Sequence, residues 1–164
     1  MKIAFQLNGT PTSLEIEPRE TLAEVLRSRC RLTGVKLSCE SQVCGTCTVL
    51  VDDIPVSACT YLAYEIRDKH VTTIEGLADG GRLHPLQQAF LDNFSFQCGF
   101  CTPGMILAAK SLLDENACAS DEEIIAYMSG NLCRCTGYLG ILKAIRQASA
   151  ELRGQAQTDG RHRE

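Results

Sequence analysis

The chain begins with apolar and polar residues in alternation, which is the period of a half-buried β-strand. The first alternating apolar positions are Ile3, Phe5 and Leu7. The pair Asn8-Gly9 follows them, and this pair is typical of a tight hairpin turn. We therefore predict that the chain opens with a β-hairpin.

Further elements are predicted between this hairpin and residue 78. Thr21 and Glu24 have the spacing of a helical capping box, so a short helix is expected to begin at Thr21. Apolar runs at residues 47–51, 54–56 and 71–74 predict three more strands. Residues 1–78 are therefore predicted to form a domain of mixed strands and helices.

The pattern becomes helical after a linker at residues 79–83 that contains Gly80-Gly81. Helices are predicted at residues 84–93, from Thr102-Pro103, from the capping box that opens at Ser120, and at residues 137–152. Thr102 is expected to cap the second of these helices, with Pro103 in its first position. Four short helices in succession favour a bundle over residues 84–153. The polar residues 154–164 are predicted to be a disordered tail. The predicted fold class is α+β, with two domains.

Composition limits the possible partners. The 164 residues are 45% apolar and 22% charged, with a net charge of −4 and no long basic run, so neither nucleic acid nor an anionic membrane is expected as a partner. No stretch reaches the roughly 18 apolar residues of a membrane span. The alternation at the N-terminus favours a strand over a secretion signal, and a cytoplasmic location is expected.

Ten cysteines are the strongest chemical signal in the sequence. Their clustered spacings, together with the expected absence of a signal peptide, favour metal ligation over disulfides. Two cysteines lie outside the clusters. Cys30 falls on the apolar face of the first helix and is predicted to be a buried apolar residue, and Cys118 is predicted to be an unliganded thiol.

The first cluster has the spacing Cys39-x4-Cys44-x2-Cys47, with Cys59 following after eleven residues. This is the spacing of plant-type [2Fe–2S] proteins. A two-iron group needs two thiolates on each iron, so three ligands can come from one tight loop and the fourth from a neighbouring strand. Gly45 would let the backbone approach the sulfides closely. A Zn site would more naturally show two separated C-x-x-C pairs.

The second set consists of Cys98-x2-Cys101 and Cys133-x-Cys135. Spacing alone leaves a Zn site, an iron–sulfur cluster or a redox pair open. A threonine and a predicted helix start follow each pair. This arrangement could bring two helix N-termini to one metal centre, where their dipoles would favour thiolate and sulfide.

No residues with substrate chemistry of their own are found. His70, His84 and His162 are scattered, without ligand spacing or an evident carboxylate partner. The chain contains neither a glycine-rich nucleotide loop nor a nucleophile with a base. We therefore expect no catalytic residues.

Three stretches together resemble a known family: Cys39-Glu-Ser-Gln-Val-Cys-Gly-Thr-Cys-Thr-Val, Gln97-Cys-Gly-Phe-Cys-Thr-Pro-Gly-Met and Asn131-Leu-Cys-Arg-Cys-Thr-Gly-Tyr. They are similar to the small iron–sulfur subunit of the xanthine dehydrogenase family of molybdenum hydroxylases. The resemblance spans about residues 1–153 in order. It departs from the family at Ser41, Gln42 and Val43, where relatives usually have glycines.

The resemblance implies an N-terminal β-grasp, ferredoxin-like domain and a C-terminal four-helix bundle, each with one [2Fe–2S] cluster. It implies that all eight clustered cysteines are ligands. Gln97 and Cys135 are the positions expected to contact a molybdopterin held by a separate large subunit. A medium subunit would carry FAD, and the assembly is expected to be a dimer of heterotrimers.

The function predicted from the sequence is therefore electron transfer within a molybdenum-containing dehydrogenase. Electrons would pass from molybdopterin to the Cys98/Cys101/Cys133/Cys135 site, then to the Cys39/Cys44/Cys47/Cys59 site, and on to a flavin or another acceptor. Two alternatives stay open: a stand-alone two-cluster ferredoxin and a Zn-stabilised interaction module.

Overall fold

Five strands form one mixed sheet in the first half of the chain, with the order β2-β1-β5-β3-β4. The structure, a computed structural model, describes residues 1–160. Within the sheet β1 pairs in parallel with β5, and the other neighbouring strands are antiparallel. The strands are β1 (Lys2–Leu7), β2 (Thr10–Glu15), β3 (Thr48–Val51), β4 (Ile54–Ser57) and β5 (His70–Thr72).

The predicted hairpin is present. Asn8 and Gly9 connect β1 to β2 with φ angles of 50° and 77°, the left-handed conformation that a two-residue hairpin turn requires. Ile3 and Phe5 point from β1 into the first core, where they are 1% and 4% exposed. Fifteen buried residues make up this first core: Ile3, Phe5, Ile16, Leu22, Ala23, Val25, Leu26, Val35, Cys47, Val49, Val51, Ala58, Ala63, Ile66 and Val71.

The helix predicted at Thr21 begins with a complete capping box. The N–H of Glu24 donates to Thr21 Oγ1 at 3.3 Å, and the Glu24 carboxylate accepts the N–H of Thr21 at 2.7 Å. Helix α1 (Leu22–Glu24) then continues as a π-helical segment (Val25–Arg29), because the N–H of Cys30 donates to the carbonyl of Val25, five residues back. Cys30 is half-buried and packs against the first core.

Four helices follow residue 84 and pack around a second core: α2 (Pro85–Asp92), α3 (Thr102–Glu115), α4 (Asp121–Met128) and α5 (Leu139–Gly160). Helix α2 packs on α5 and α3, and α4 packs on α3 and α5. The largest fully buried side chains of this core are Leu50, Phe90, Leu86, Met105, Leu107, Ile124, Ile141 and Ile145.

Helix α3 begins differently from the sequence prediction. Thr102 was expected to cap α3, but it is the first helical residue and the cap position is Cys101. The Thr102 hydroxyl therefore does not cap the helix.

Both ends of α5 also differ from the prediction. The helix starts at Leu139, two residues later than predicted, because Gly137 and Tyr138 have left-handed φ angles of 64° and 68°. At its other end α5 continues to Gly160 and so includes residues 154–160, which the sequence analysis assigned to the tail. Residues 161–164, the rest of that tail, lie outside the described part of the chain.

The sheet and the helices share an interface. Leu50 of β3 is completely buried and belongs to the helical core. Ser111 of α3 donates its hydroxyl to the carbonyl of Asp53 at 3.0 Å, in the turn between β3 and β4. None of the helices formed by residues 1–160 is both long enough and apolar enough to cross a membrane.

Candidate metal centres

The first cysteine set lies in one loop and one neighbouring strand end, as predicted. Cys39, Cys44 and Cys47 belong to the loop that precedes β3, and Cys59 follows β4. The thiols of this set interact in two pairs. Cys44 influences the pKa of Cys39, and Cys59 influences the pKa of Cys47.

The electrostatic environment differs sharply across this first set. Backbone N–H groups of Ser41 and Val43 donate to the Cys39 sulfur at 3.5 and 3.4 Å, and these hydrogen bonds lower the pKa of Cys39 to about 6. Burial raises the pKa of Cys47 to about 12. Hydrogen bonds in the loop therefore favour a thiolate at Cys39, whereas burial disfavours one at Cys47.

The loop between Cys39 and Cys44 contains two residues in a left-handed backbone conformation. Glu40 and Gln42 have φ angles of 52° and 63°, a conformation that side chains other than glycine adopt at a cost. The Gln42 side chain accepts a hydrogen bond from the Thr60 hydroxyl at 3.1 Å. This contact ties the loop to the residue after Cys59. The Gln42 side chain thus helps to hold a loop whose backbone conformation is unfavourable.

The second cysteine set lies where α3 and α5 begin, and the structure brings its two motifs together. The sulfur atoms of Cys98 and Cys135 are 3.6 Å apart. Cys101 and Cys133 form the other pair, in which each thiol influences the pKa of its neighbour. The first of these pairs is exposed, and the second is half-buried.

Burial and hydrogen bonds also shift the pKa values of the second set in different directions. Burial, with the Cys133 contact, raises the pKa of Cys101 to about 12. The contact with Cys98 raises the pKa of Cys135. Burial would also raise the pKa of Cys133, but hydrogen bonds from the Thr136 hydroxyl and N–H outweigh it, so that pKa is lowered.

Gln97 is an exposed residue whose side chain braces this site from within the chain. Its Nε2 donates to the carbonyl oxygen of Cys135 at 2.9 Å. The amide therefore links the two cysteine motifs of the second set.

The arrangement of the thiols indicates which kind of metal group could bind at each set. A single tetrahedral ion gathers four thiolates around one point, whereas a two-iron group takes two on each iron. Both sets consist of two thiol pairs, and within residues 1–160 no three His, Cys, Asp or Glu side chains converge as a single-ion site would require. The residues therefore fit a [2Fe–2S] group in each set.

An orphaned hydroxyl supports the same fit at the second set. In the described part of the chain, Thr102 Oγ1 is the one buried side-chain nitrogen or oxygen without a hydrogen-bond partner. Thr102 directly follows Cys101. A buried hydroxyl needs an acceptor, and the sulfur atoms of an iron–sulfur group can serve as one.

Sequence reasoning missed the residues that join the two sets. Asn131, which is buried, donates its Nδ2 to the carbonyl of Gly45 at 2.9 Å. The N–H of Leu132 donates to the carbonyl of Cys44, also at 2.9 Å. The two cysteine loops therefore touch. The only signal in the sequence was that Asn131 and Leu132 precede a cysteine motif, which does not indicate what they contact.

The structure also shows the surroundings of the cysteine and histidines that were not predicted to bind metal in either cysteine set. Cys118 is exposed, and His84 caps α2 through its side chain. His70 lies beside Asp52, with 3.5 Å between Nδ1 and Oδ1, so the expectation that it lacks a carboxylate partner is wrong. His162 lies outside the described residues.

Comparison with known proteins agrees with this two-site architecture. The model of the "2Fe-2S iron-sulfur cluster binding domain" matches residues 5–75, and that of the "[2Fe-2S] binding domain" matches residues 73–146. The nicotinate dehydrogenase small FeS subunit of Eubacterium barkeri is 48% identical over 146 residues, which cover 89% of this chain and 93% of the relative.

Two solved structures have the same fold. One is quinoline 2-oxidoreductase from Pseudomonas putida 86, with a TM-score of 0.90, 45% identity and coverage of 94% of this chain and 96% of the other. The second is the aldehyde oxidoreductase from Desulfovibrio desulfuricans ATCC 27774, with a TM-score of 0.90 and 42% identity. There the match covers 93% of this chain but 17% of a much longer one.

Fold and sites together define an iron–sulfur protein with two [2Fe–2S] domains. The chain belongs to the small iron–sulfur subunits of the xanthine dehydrogenase family of molybdenum hydroxylases. It is an oxidoreductase subunit, and its role is electron transfer.

Proposed function

We propose that each unit of this chain holds one [2Fe–2S] cluster through its own four cysteines. The ligands in the sheet unit are Cys39, Cys44, Cys47 and Cys59. Those in the helical unit are Cys98, Cys101, Cys133 and Cys135. We also assign the two units, bounded at residues 78 and 84, to the β-grasp and four-helix-bundle types. Strand order β2-β1-β5-β3-β4 and the packing of α2 to α5 support this assignment.

The observation that carries the ligand assignment is the pairing of thiols two by two in both sets. Each pair supplies the two thiolates that one iron of a two-iron group needs. When bound, each group would accept and release one electron. The pairing argues against the Zn-stabilised module, since a Zn ion would require four thiols around one point.

The surface around the second set supports contact with a partner. Cys98 and Cys135 are exposed, and Phe96 and Phe100 expose 36% and 46% of their surface beside them. A groove of about 320 Å³ lies next to Cys98 and is mostly apolar. Its lining residues include Leu83, Leu91, Phe96, Pro103 and Ile106. Exposed apolar surface of this kind is typical of an interaction site.

We propose that this face meets a large subunit that carries molybdopterin, and that Gln97 and Cys135 contact the pterin there. The Gln97 amide uses one of its hydrogens on Cys135, which leaves its oxygen and second hydrogen for a partner. Electrons would enter the chain at this face and leave from the first set toward FAD on a medium subunit. The dimer of heterotrimers and the cytoplasmic location stay predictions.

Reciprocal ligand variants test the assignment. The purified chain should contain about four irons and, when reduced, give two distinct EPR signals. Cys44→Ser should remove one signal, and Cys101→Ser should remove the other, each in a protein that stays folded. Cys118→Ser is the matched control and should leave both. About one Zn for every four cysteines, or loss of both signals from either ligand variant, would refute the grouping.

A further inference from the structure

The turn between the second cysteine motif and α5 carries a hydroxyl that contacts a proposed ligand. Thr136 Oγ1 lies 3.2 Å from the sulfur of Cys133. The same oxygen accepts the N–H of Tyr138 at 3.3 Å. A threonine hydroxyl has one hydrogen to donate. Since an iron-bound thiolate has none, the hydrogen in the contact between Thr136 and Cys133 must come from Thr136.

The turn holds this hydroxyl in place. Gly137 and Tyr138 both have left-handed φ angles, which is unfavourable at Tyr138. The Tyr138 hydroxyl accepts the N–H of Cys133 at 2.8 Å, and its ring packs against the helical core. Because the Tyr138 hydroxyl binds the backbone of Cys133, it holds Cys133 and Thr136 in fixed positions relative to each other. The strained conformation thus preserves the contact between Thr136 and sulfur.

We propose that Thr136 is a positioning residue that raises the reduction potential of the second [2Fe–2S] site by donating its hydroxyl to Cys133 Sγ. This inference rests on the proposed ligand role of Cys133. A [2Fe–2S] group held here would gain one negative charge on reduction by its electron donor, and the sulfur atoms would share that charge. A hydrogen-bond donor at sulfur stabilises that reduced form more than the oxidised one.

The test is a potentiometric EPR titration of the iron-loaded full chain in its purified complex, with dithionite as the reductant. Thr136→Val keeps the shape and removes the hydroxyl. We expect it to lower the reduced-to-oxidised ratio of the second site about fivefold at a fixed potential. At 59 mV per tenfold for one electron, this is a shift of about 40 mV to lower potential. The signal of the first site, in the same sample, should not move.

Two further variants distinguish an effect of the Thr136 hydroxyl on the reduction potential from an effect of altered packing in the turn. Thr136→Ser retains a hydroxyl and should restore the wild-type potential. Tyr138→Phe removes a hydroxyl from the same turn, but one that contacts backbone instead of sulfur, and should cause a clearly smaller shift. Equal shifts in Thr136→Val and Tyr138→Phe would overturn the proposal in favour of loop packing.

The remaining outcomes also decide the question. An unchanged potential in Thr136→Val, with both EPR signals intact, would overturn the role of the hydroxyl. If Thr136→Val loses iron, Thr136→Ala is measured instead, and loss of iron there too would mean that Thr136 is structural. Failure of the underlying ligand assignment looks different, because the wild type itself would then lack the second signal.

Discussion

The N–H of Leu132 donates a 2.9 Å hydrogen bond to the carbonyl oxygen of Cys44. Cys44 is a proposed ligand of the first site, and Leu132 immediately precedes a proposed ligand of the second, Cys133. One backbone hydrogen bond therefore connects the two cysteine loops. The contact therefore holds the two proposed redox sites next to each other.

Close backbone approach at this interface predicts that Gly104→Ala is destabilising. A Cβ on Gly104, in α3, would lie 2.6 Å from the carbonyl oxygen of Gly45, and neither helix nor loop can yield easily. We expect a loss of about 1–3 kcal/mol in the free energy of unfolding, as for other overpacked sites. Urea unfolding of the iron-loaded chain measures it.

The matched control is Gly154→Ala in α5, where an added Cβ would meet nothing within 4 Å. Alanine is favoured over glycine in a helix by about 0.5–1 kcal/mol, so this variant should be neutral or slightly stabilising. Equal behaviour of the two variants would contradict the close packing of α3 on the cysteine loop.

Asn131→Ala should weaken the contact between the two loops. The variant leaves the buried carbonyl of Gly45 and the hydroxyl of Thr48 without the amide that lies 2.9 and 3.3 Å from them. The Gly45 carbonyl still accepts the Thr48 hydroxyl at 2.7 Å, so the variant loses a buried hydrogen bond without leaving that carbonyl unpaired. Such a loss typically costs about 0.5–1.5 kcal/mol, which denaturant unfolding should detect. Asn116→Ala is the control, because its side chain accepts only an exposed N–H from Cys118. A cost at Asn131 no larger than that at Asn116 would argue against a stabilising role for the loop contact.

His84 should make the stability of the helical unit depend on pH. Burial, reinforced by nearby Lys110 and opposed by Asp114, lowers the pKa of His84 from its ordinary value of 6.5. Its neutral Nδ1 accepts the N–H of Leu86 at 3.2 Å, and protonation abolishes that acceptor. Since the unfolded chain binds the proton more readily, this contribution is complete above pH 6.5 and is lost as pH falls through the folded pKa.

His84→Asn provides the comparison, because asparagine can cap the helix without titrating. Unfolding free energies of both proteins, measured between about pH 5 and pH 8, should diverge on the acidic side, with the wild type falling more steeply. Parallel curves would show that His84 does not control this dependence.

Gln97→Ala separates two roles of one side chain. Losing the hydrogen bond to the Cys135 carbonyl should speed the loss of iron from the second site of the isolated chain. If Gln97 also contacts molybdopterin, affinity for the large subunit should fall by about one to two decades, even in protein that retains its iron.

Iron retention and binding affinity are therefore measured side by side, with Gln88→Ala as the control, since the Gln88 side chain donates to Asp92 on the exposed face of α2, away from the cysteines. Lost iron together with normal assembly and turnover would exclude the pterin contact and leave Gln97 as a brace within its own unit.

Local sequence determined most of the elements, because their causes are local. The alternation of Ile3, Phe5 and Leu7, the turn at Asn8-Gly9 and the capping box at Ser120 all act within a few residues, and each is found as predicted. The spacing of the cysteines likewise divided eight of them into two sets of four, because thiols in one short loop must lie close to one another. The predicted starts of two helices were wrong. Thr102 is helical and does not cap α3, and Tyr138, whose ring packs against the helical core, adopts a left-handed φ that delays α5.

Only the tertiary structure decided how the thiols pair and what lies around them. The 3.6 Å approach of Cys98 to Cys135 joins positions 37 residues apart, and the bond from Asn131 to Gly45 spans 86 residues. No local pattern encodes such contacts, because they depend on how the sheet and the helices dock. The same holds for the Thr136 hydroxyl. Its sequence neighbours predict a helix start, but its bond to the Cys133 sulfur exists because the Tyr138 ring packs in the helical core and fixes the turn.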